Sequence, residues 1–190
     1  MTHSWKPTRE QVAGASGKQV ADLIRPNLQV LFSGINPSLY SAAVGHHFAR
    51  PGNRFWPMLQ AAGITPRRFS PFEGDRLLDL GCGITNVVDR ATATAAELSA
   101  TEIVEGGEAL TRKVGFYDPA FVAFLGITTY RIAFGRPQAG VGCQPERLGA
   151  TRIWVLPIPS GLNAHYQVAD LARLVGDLWA ASLQINQSSR

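Results

Sequence analysis

LQVLFSGINPS, residues 28–38, runs an apolar segment that reads as a buried strand straight into a turn built from Gly34, Asn36, Pro37 and Ser38. The stretch continues as LYSAAVGHHFARPGNRFW to residue 56, so small and polar residues crowd the ground just beyond the strand. A glycine at a strand end lets the chain turn and lets a ligand approach the backbone, while Pro37 stiffens the loop without offering a donor. Such a loop holds Asn36 rigidly. The same Asn-Pro pair is also a common turn starter, and spacing alone leaves both readings open.

Working outward, four apolar runs have the look of fully buried strands: 28–32, 84–88, 120–125 and 152–157. Helical patterns lie between and after them, near 54–62, 73–80, 101–115, 127–134 and 167–184. Strands separated by helices imply right-handed crossovers, so the expected fold is α/β: a three-layer α/β/α sandwich with a mostly parallel central sheet of about four strands. Ligands collect outside the carboxyl ends of such strands. Chemistry is therefore sought in the loops after residues 33, 88, 125 and 157. Residues 1–27 read as a partly helical extension, interrupted by Gly14 and Gly17; 28–184 as one catalytic-sized domain; 185–190 as a flexible tail.

Composition narrows the classes. Lys and Arg number 18 against 14 Asp and Glu, a formal charge of +4, which permits an anionic partner without requiring one. Cys82 and Cys143 fit neither a metal spacing nor a disulfide framework, and nothing at the start reads as a signal peptide. A reducing cytoplasm is the expected compartment. No apolar run approaches the roughly 18 residues that a membrane crossing needs.

Four further features compete for a functional reading. His46 and His47 are adjacent, so their rings diverge, and no Cys or carboxylate stands beside them at ligand spacing; no metal site is expected. PIPSGLNAHY, residues 157–166, is stiff and turn-rich, and it carries Leu162 near its tip, as a wedge into a base stack or as a cap on the core. LLDLGCGIT, residues 77–85, imitates the glycine-rich motif of S-adenosylmethionine-dependent methyltransferases but lacks the third glycine. Asp89, after the second strand, is a candidate water-activating carboxylate; its plainer roles are pairing with Arg90 or capping a helix.

Taken together the loops resemble those of the mismatch-specific uracil-DNA glycosylases and thymine-DNA glycosylases, a branch of the uracil-DNA glycosylase superfamily. The family's GINPG motif stands here as GINPS, followed by a long similar stretch through LYSAAVGHHFARPGNRFW, and its NPSGLS motif as IPSGLN. LLDLGCGITNVVDR matches the family's linking segment, which takes most of the force from the methyltransferase reading. The resemblance implies a DNA repair enzyme that flips a uracil mispaired with guanine, with thymine and modified cytosine as further candidate bases, out of the duplex and hydrolyses its N-glycosidic bond without a cofactor. It implies that Asn36 positions the attacking water; Asp89, from its place after the second strand, would be a second catalytic group if it reaches that water. The base would be bound by Gly34, Ile35, Ser38, Ser41 and Phe48. Leu162 would fill the vacated space, with Pro159, Ser160, Gly161 and Asn163 against the widowed guanine. The implied partner is DNA, the implied state a monomer. A DNA-binding module without catalysis is the remaining alternative.

Departures from the family pattern locate the open points. Ser38 replaces a motif glycine where backbone approaches the base. Ile158 replaces an Asn on the wedge loop, Ala164 stands where an Arg is common, with His165 or Arg50 as substitutes, and Asn86 stands where a Lys can occur.

Overall fold

Five strands form one sheet in the computed structural model, which describes residues 5–188. The chain runs α1 (Arg9–Ala13), β1 (Val30–Gly34), α2 (Leu39–Val44), α3 (Phe55–Ala61), α4 (Arg76–Asp79), β2 (Cys82–Asn86), α5 (Ala100–Tyr117), β3 (Phe121–Leu125), α6 (Ile127–Ala133), β4 (Gly142–Leu148), β5 (Thr151–Leu156) and α7 (Val168–Ser188). Strand order is β2-β1-β3-β5-β4, parallel except for β4, which runs antiparallel to β5.

Alternation along the strands builds the two outer layers. Val30, Phe32 and Ala123 pack with Phe55 and Met58 of α3 and Val175 of α7 on one face. Leu31, Val122 and Phe124 turn to the other face, against Leu110 and Val114 of α5 and Tyr130 of α6. β1, β2 and β3 are buried throughout, which is why they read as continuous apolar runs.

The three-layer class stands, with a correction to the strand count: five rather than four. The fifth, β4, is GCQPERL, whose residues alternate between half-buried and exposed. It hides from an apolar-run reading because it is polar and carries Pro145, and an edge strand tolerates both. The ladder shifts register between Cys143 and Arg147, around that proline. The segment near 73–80 is likewise not one helix but a 3-10 turn, Pro71–Glu73, then α4. β1 and β2 are displaced by two residues from their expected bounds, to 30–34 and 82–86.

Before β1, the chain closes an edge. Leu23 and Ile84 exchange backbone hydrogen bonds of 2.9 and 2.8 Å, laying this segment along the free side of β2. At the other end α7 continues past 184 to Ser188; residues 1–4 and 189–190 lie outside the described residues. The methyltransferase alternative loses its geometry here: Gly83 sits inside β2, where a Cβ would lie 2.5 Å from the Leu23 carbonyl, rather than in a loop that could cradle a cofactor.

Candidate active site

β1 lies between β2 and β3, so connections leave it in both directions and a crevice opens at the carboxyl ends of these strands. A cavity of about 260 Å³ occupies that position. Its walls bring together Gly34, Ile35, Asn36, Ser38, Ser41 and Phe48 from the first loop with Pro159, Ser160 and Leu162 from the loop after β5. Gly161 and Asn163 belong to the same second loop but do not line the cavity. Neither does Asp89, which is exposed.

Asn36 is fixed by its amide nitrogen. Its Nδ2 donates to the Arg90 carbonyl at 2.9 Å and to Thr92 Oγ1 at 2.7 Å, and the Thr92 hydroxyl in turn donates to the Thr94 carbonyl at 2.8 Å. Because a backbone carbonyl only accepts, the nitrogen must occupy that side of the amide. The amide oxygen has no protein partner among the described residues and remains free to accept from a water. Arg90 is itself held: its Nε meets Glu102 at 2.6 Å, and this guanidinium keeps the Glu102 carboxyl down at about 2. Arg90 therefore pairs with Glu102 on α5, not with Asp89.

Ser38 acquires a structural role that explains a side chain at this position. It caps α2, its Oγ accepting from Ser41 N at 3.2 Å and donating to Ser41 Oγ at 3.1 Å, while Ser41 Oγ accepts from Ala49 N at 3.1 Å. The helix that follows was missed because GINPSLYSAAVG reads as continuous loop. Its signals are Ser38 at the start and Gly45 in the left-handed region at the end.

On the opposite side of the cavity, the Phe48 ring lies on Phe55, 4.1 Å between centroids and 22° between planes. Phe48 holds φ at 53°, a conformation uncommon for a bulky residue, and this turns the ring beside Gly34. The backbone carbonyls of Gly34 and Ile35 accept from Val87 N and Val88 N, each at 2.9 Å. A further polar group on this side is Asn86, 4% exposed at the end of β2, whose side-chain amide has no partner among the described residues. A Cβ on Gly34 would come 2.5 Å from Asn86 Oδ1, so glycine is what makes room for that amide.

His47 also reaches the cavity wall, yet its Nε2 is engaged with the Ala21 carbonyl at 2.9 Å. Burial lowers its pKa below the ordinary 6.5, more than that hydrogen bond and nearby Asp22 raise it, so it is neutral near pH 7. His46 lies against Phe72 instead. Their rings diverge, one into the core and one along the surface.

The second loop presents Leu162, 81% exposed, at its tip. Ser160 Oγ accepts from Leu162 N at 3.2 Å, Ser160 O from Asn163 N at 3.0 Å, and Asn163 Nδ2 donates to Ile158 O at 3.1 Å. Arg54, which sequence reasoning passes over, crosses from the start of α3 to this loop: Nη1 donates to the carbonyls of Asn163 and Tyr166 at 2.7 and 2.6 Å, and Nη2 to that of Gly161 at 3.3 Å. Its position in GNRFW, directly after the motif loop, was the available signal.

The site is thus a cavity at a sheet switch point, with Asn36 fixed by its amide nitrogen on one side and an exposed leucine at its mouth. The family model for the uracil DNA glycosylase superfamily matches residues 21–179, and the chain belongs to that superfamily. It is accordingly a DNA glycosylase, a hydrolase acting on uracil-type lesions in DNA. No helix among the described residues is long and apolar enough to cross a membrane.

Proposed function

We propose that this chain is a monofunctional, monomeric glycosylase that removes uracil mispaired with guanine from duplex DNA, using a water held by Asn36 and no cofactor. The carrying observation is the state of Asn36: both acceptors sit on its nitrogen, leaving only its oxygen to face the cavity. A water donating one hydrogen to that oxygen has a lone pair directed at the sugar C1′ of a nucleotide whose base lies between Phe48 and Asn86. As the C1′–N1 bond breaks, its electron pair leaves with the uracil as an anion, and the water oxygen forms the new bond to C1′. The Asn86 amide, unpartnered among the described residues, can turn an N–H towards the charge that develops on the base. Asn36 orients the water but cannot take its proton at neutral pH, so the proton passes to solvent once the bond has formed. Leaving-group stabilisation then carries most of the rate.

Duplex preference follows from Leu162. An exposed leucine on a braced loop beside the cavity can fill the gap left by a flipped base and offset part of the unstacking cost. The test is single-turnover cleavage of G·U, G·T and A·U duplexes and of single-stranded uracil DNA, with alkaline scission at abasic sites. G·U should be cut fastest, and Asn36→Ala should bind the same DNA while losing cleavage. A wild-type protein that binds G·U DNA and leaves it intact, or full activity in Asn36→Ala, would overturn the reading.

A further inference from the structure

Arg54 touches neither the cavity around Asn36 nor any group that would meet the reacting atoms. Among the described residues it nonetheless makes more hydrogen bonds to the second loop than any other side chain outside that loop. Two of its three acceptors, the carbonyls of Gly161 and Asn163, flank Leu162 on either side in the chain, and the third, Tyr166 O, lies just before α7. Its own backbone N–H donates to Pro159 O at 2.8 Å. The loop is thus gripped at its entry, on both sides of its tip and at its exit by one residue of a different loop.

Contact between the two loops is close elsewhere as well. A Cβ on Gly161 would lie 2.5 Å from the Gly52 carbonyl, so the backbones of the two loops touch beside the arginine. No other hydrogen bond among the described residues satisfies the Gly161, Asn163 and Tyr166 carbonyls. Among the described residues Arg54 has no carboxylate partner, either. A planar guanidinium with several donors in fixed directions can hold three carbonyls at once, whereas a lysine ammonium could not reproduce that spread.

We propose that Arg54 is a positioning residue that holds Leu162 at the cavity mouth by tying the loop before α3 to the loop carrying the wedge. The inference rests on the proposed reading of Leu162 as the group that replaces a flipped base. If it is correct, Arg54 acts through Leu162, and its loss has nothing left to take away once the leucine is gone.

A double-mutant cycle tests this: wild type, Arg54→Gln, Leu162→Ala and the double variant, compared by single-turnover cleavage of a G·U duplex. Arg54→Gln should slow cleavage by about tenfold, the scale of losing a charge-assisted hydrogen bond. On the Leu162→Ala background the same change should cost less than about twofold. Arg54→Lys should behave like Arg54→Gln. An equal slowing on both backgrounds, as general loss of folding would produce, overturns the coupling, and so does an unslowed Arg54→Gln. Amide hydrogen exchange gives a readout independent of activity: Arg54→Gln should speed exchange across 160–166 while leaving β1 and β3 protected. Unchanged exchange there overturns the clamp, whereas a wild-type protein inactive on uracil defeats the proposed function and leaves this second readout standing.

Discussion

The loop carrying Asn36 and the loop carrying Leu162 face one another across the same cavity, and they are secured in opposite ways. The first is tied at successive residues: the carbonyls of Gly34, Ile35 and Pro37 accept from Val87, Val88 and Thr92, the Asn36 nitrogen has two acceptors, and Ser38 and Ser41 brace the turn into α2. Almost all of these ties run to the strand and loop next door. The second loop makes a few turns of its own and otherwise depends on Arg54. Positioning a water tolerates errors of about half an ångström, which favours redundant ties to rigid strands. On the proposed function, a wedge that enters a base stack needs to be presented rather than immobilised, and one adaptable brace suffices.

Breaking the first loop at its centre should give the largest effect. Asn36→Ala removes the water's acceptor, and single-turnover cleavage of G·U DNA should fall by at least about a hundredfold with little change in DNA affinity. Thr92→Val sharpens the claim of redundancy. Valine keeps the shape of threonine but cannot accept from Asn36, and the Arg90 carbonyl remains, so the amide should be loosened rather than lost. A slowing of about tenfold is expected, with the thermal midpoint near that of wild type. A loss as deep as that of Asn36→Ala would mean that a single bond, not a set, orients the amide.

Much of this contrast is legible in the sequence, and the missing parts share a cause. Gly34, Asn36 and Phe48 could be picked out because a strand end followed by Gly-Ile-Asn-Pro is a local pattern, as are the apolar runs that became β1, β2, β3 and β5. What fixes those residues is not local. Asn36 is held by the Arg90 carbonyl and Thr92, more than fifty positions away, and the Leu162 loop by Arg54, more than a hundred away. Asn86 could be read only as a missing positive charge until the register of β1 with β2 placed it opposite Gly34. β4 escaped for a different reason: an edge strand has little burial to impose on its composition.

Behind the first loop stands His47, and pH offers a gentler way to disturb it. Burial holds its pKa below 6.5, so the folded state favours the neutral ring while the unfolded chain takes up a proton as pH falls through that value. Stability linked to this group is complete above about pH 6.5 and declines as pH drops towards the folded value. The thermal midpoint should therefore fall between pH 7 and pH 5, and the fall should be shallower in His47→Gln, which keeps a donor for the Ala21 carbonyl. Equal slopes in the two proteins would show that other groups control the acid side.

Asp89 supplies the smallest expected effect and a limit on the first loop's chemistry. Its place just after the second strand of the sequence reading puts a carboxylate on the rim, where it would raise the rate by about a hundredfold if it reached the water. In the fold, residues 87 and 88 donate their backbone N–H groups to the carbonyls of 34 and 35, and the chain then carries Asp89 outward, exposed and away from the cavity lining. The next residue turns back, giving its carbonyl to Asn36 and its guanidinium to Glu102. What this segment contributes is thus a main-chain acceptor at 90, not a side-chain base at 89. Asp89→Asn should leave single-turnover cleavage within about twofold of wild type across pH 6–8, because a group outside the site contributes no proton transfer. A loss of tenfold or more, steepening as pH falls, would return the carboxylate to the reaction and require the 87–92 segment to move when DNA binds.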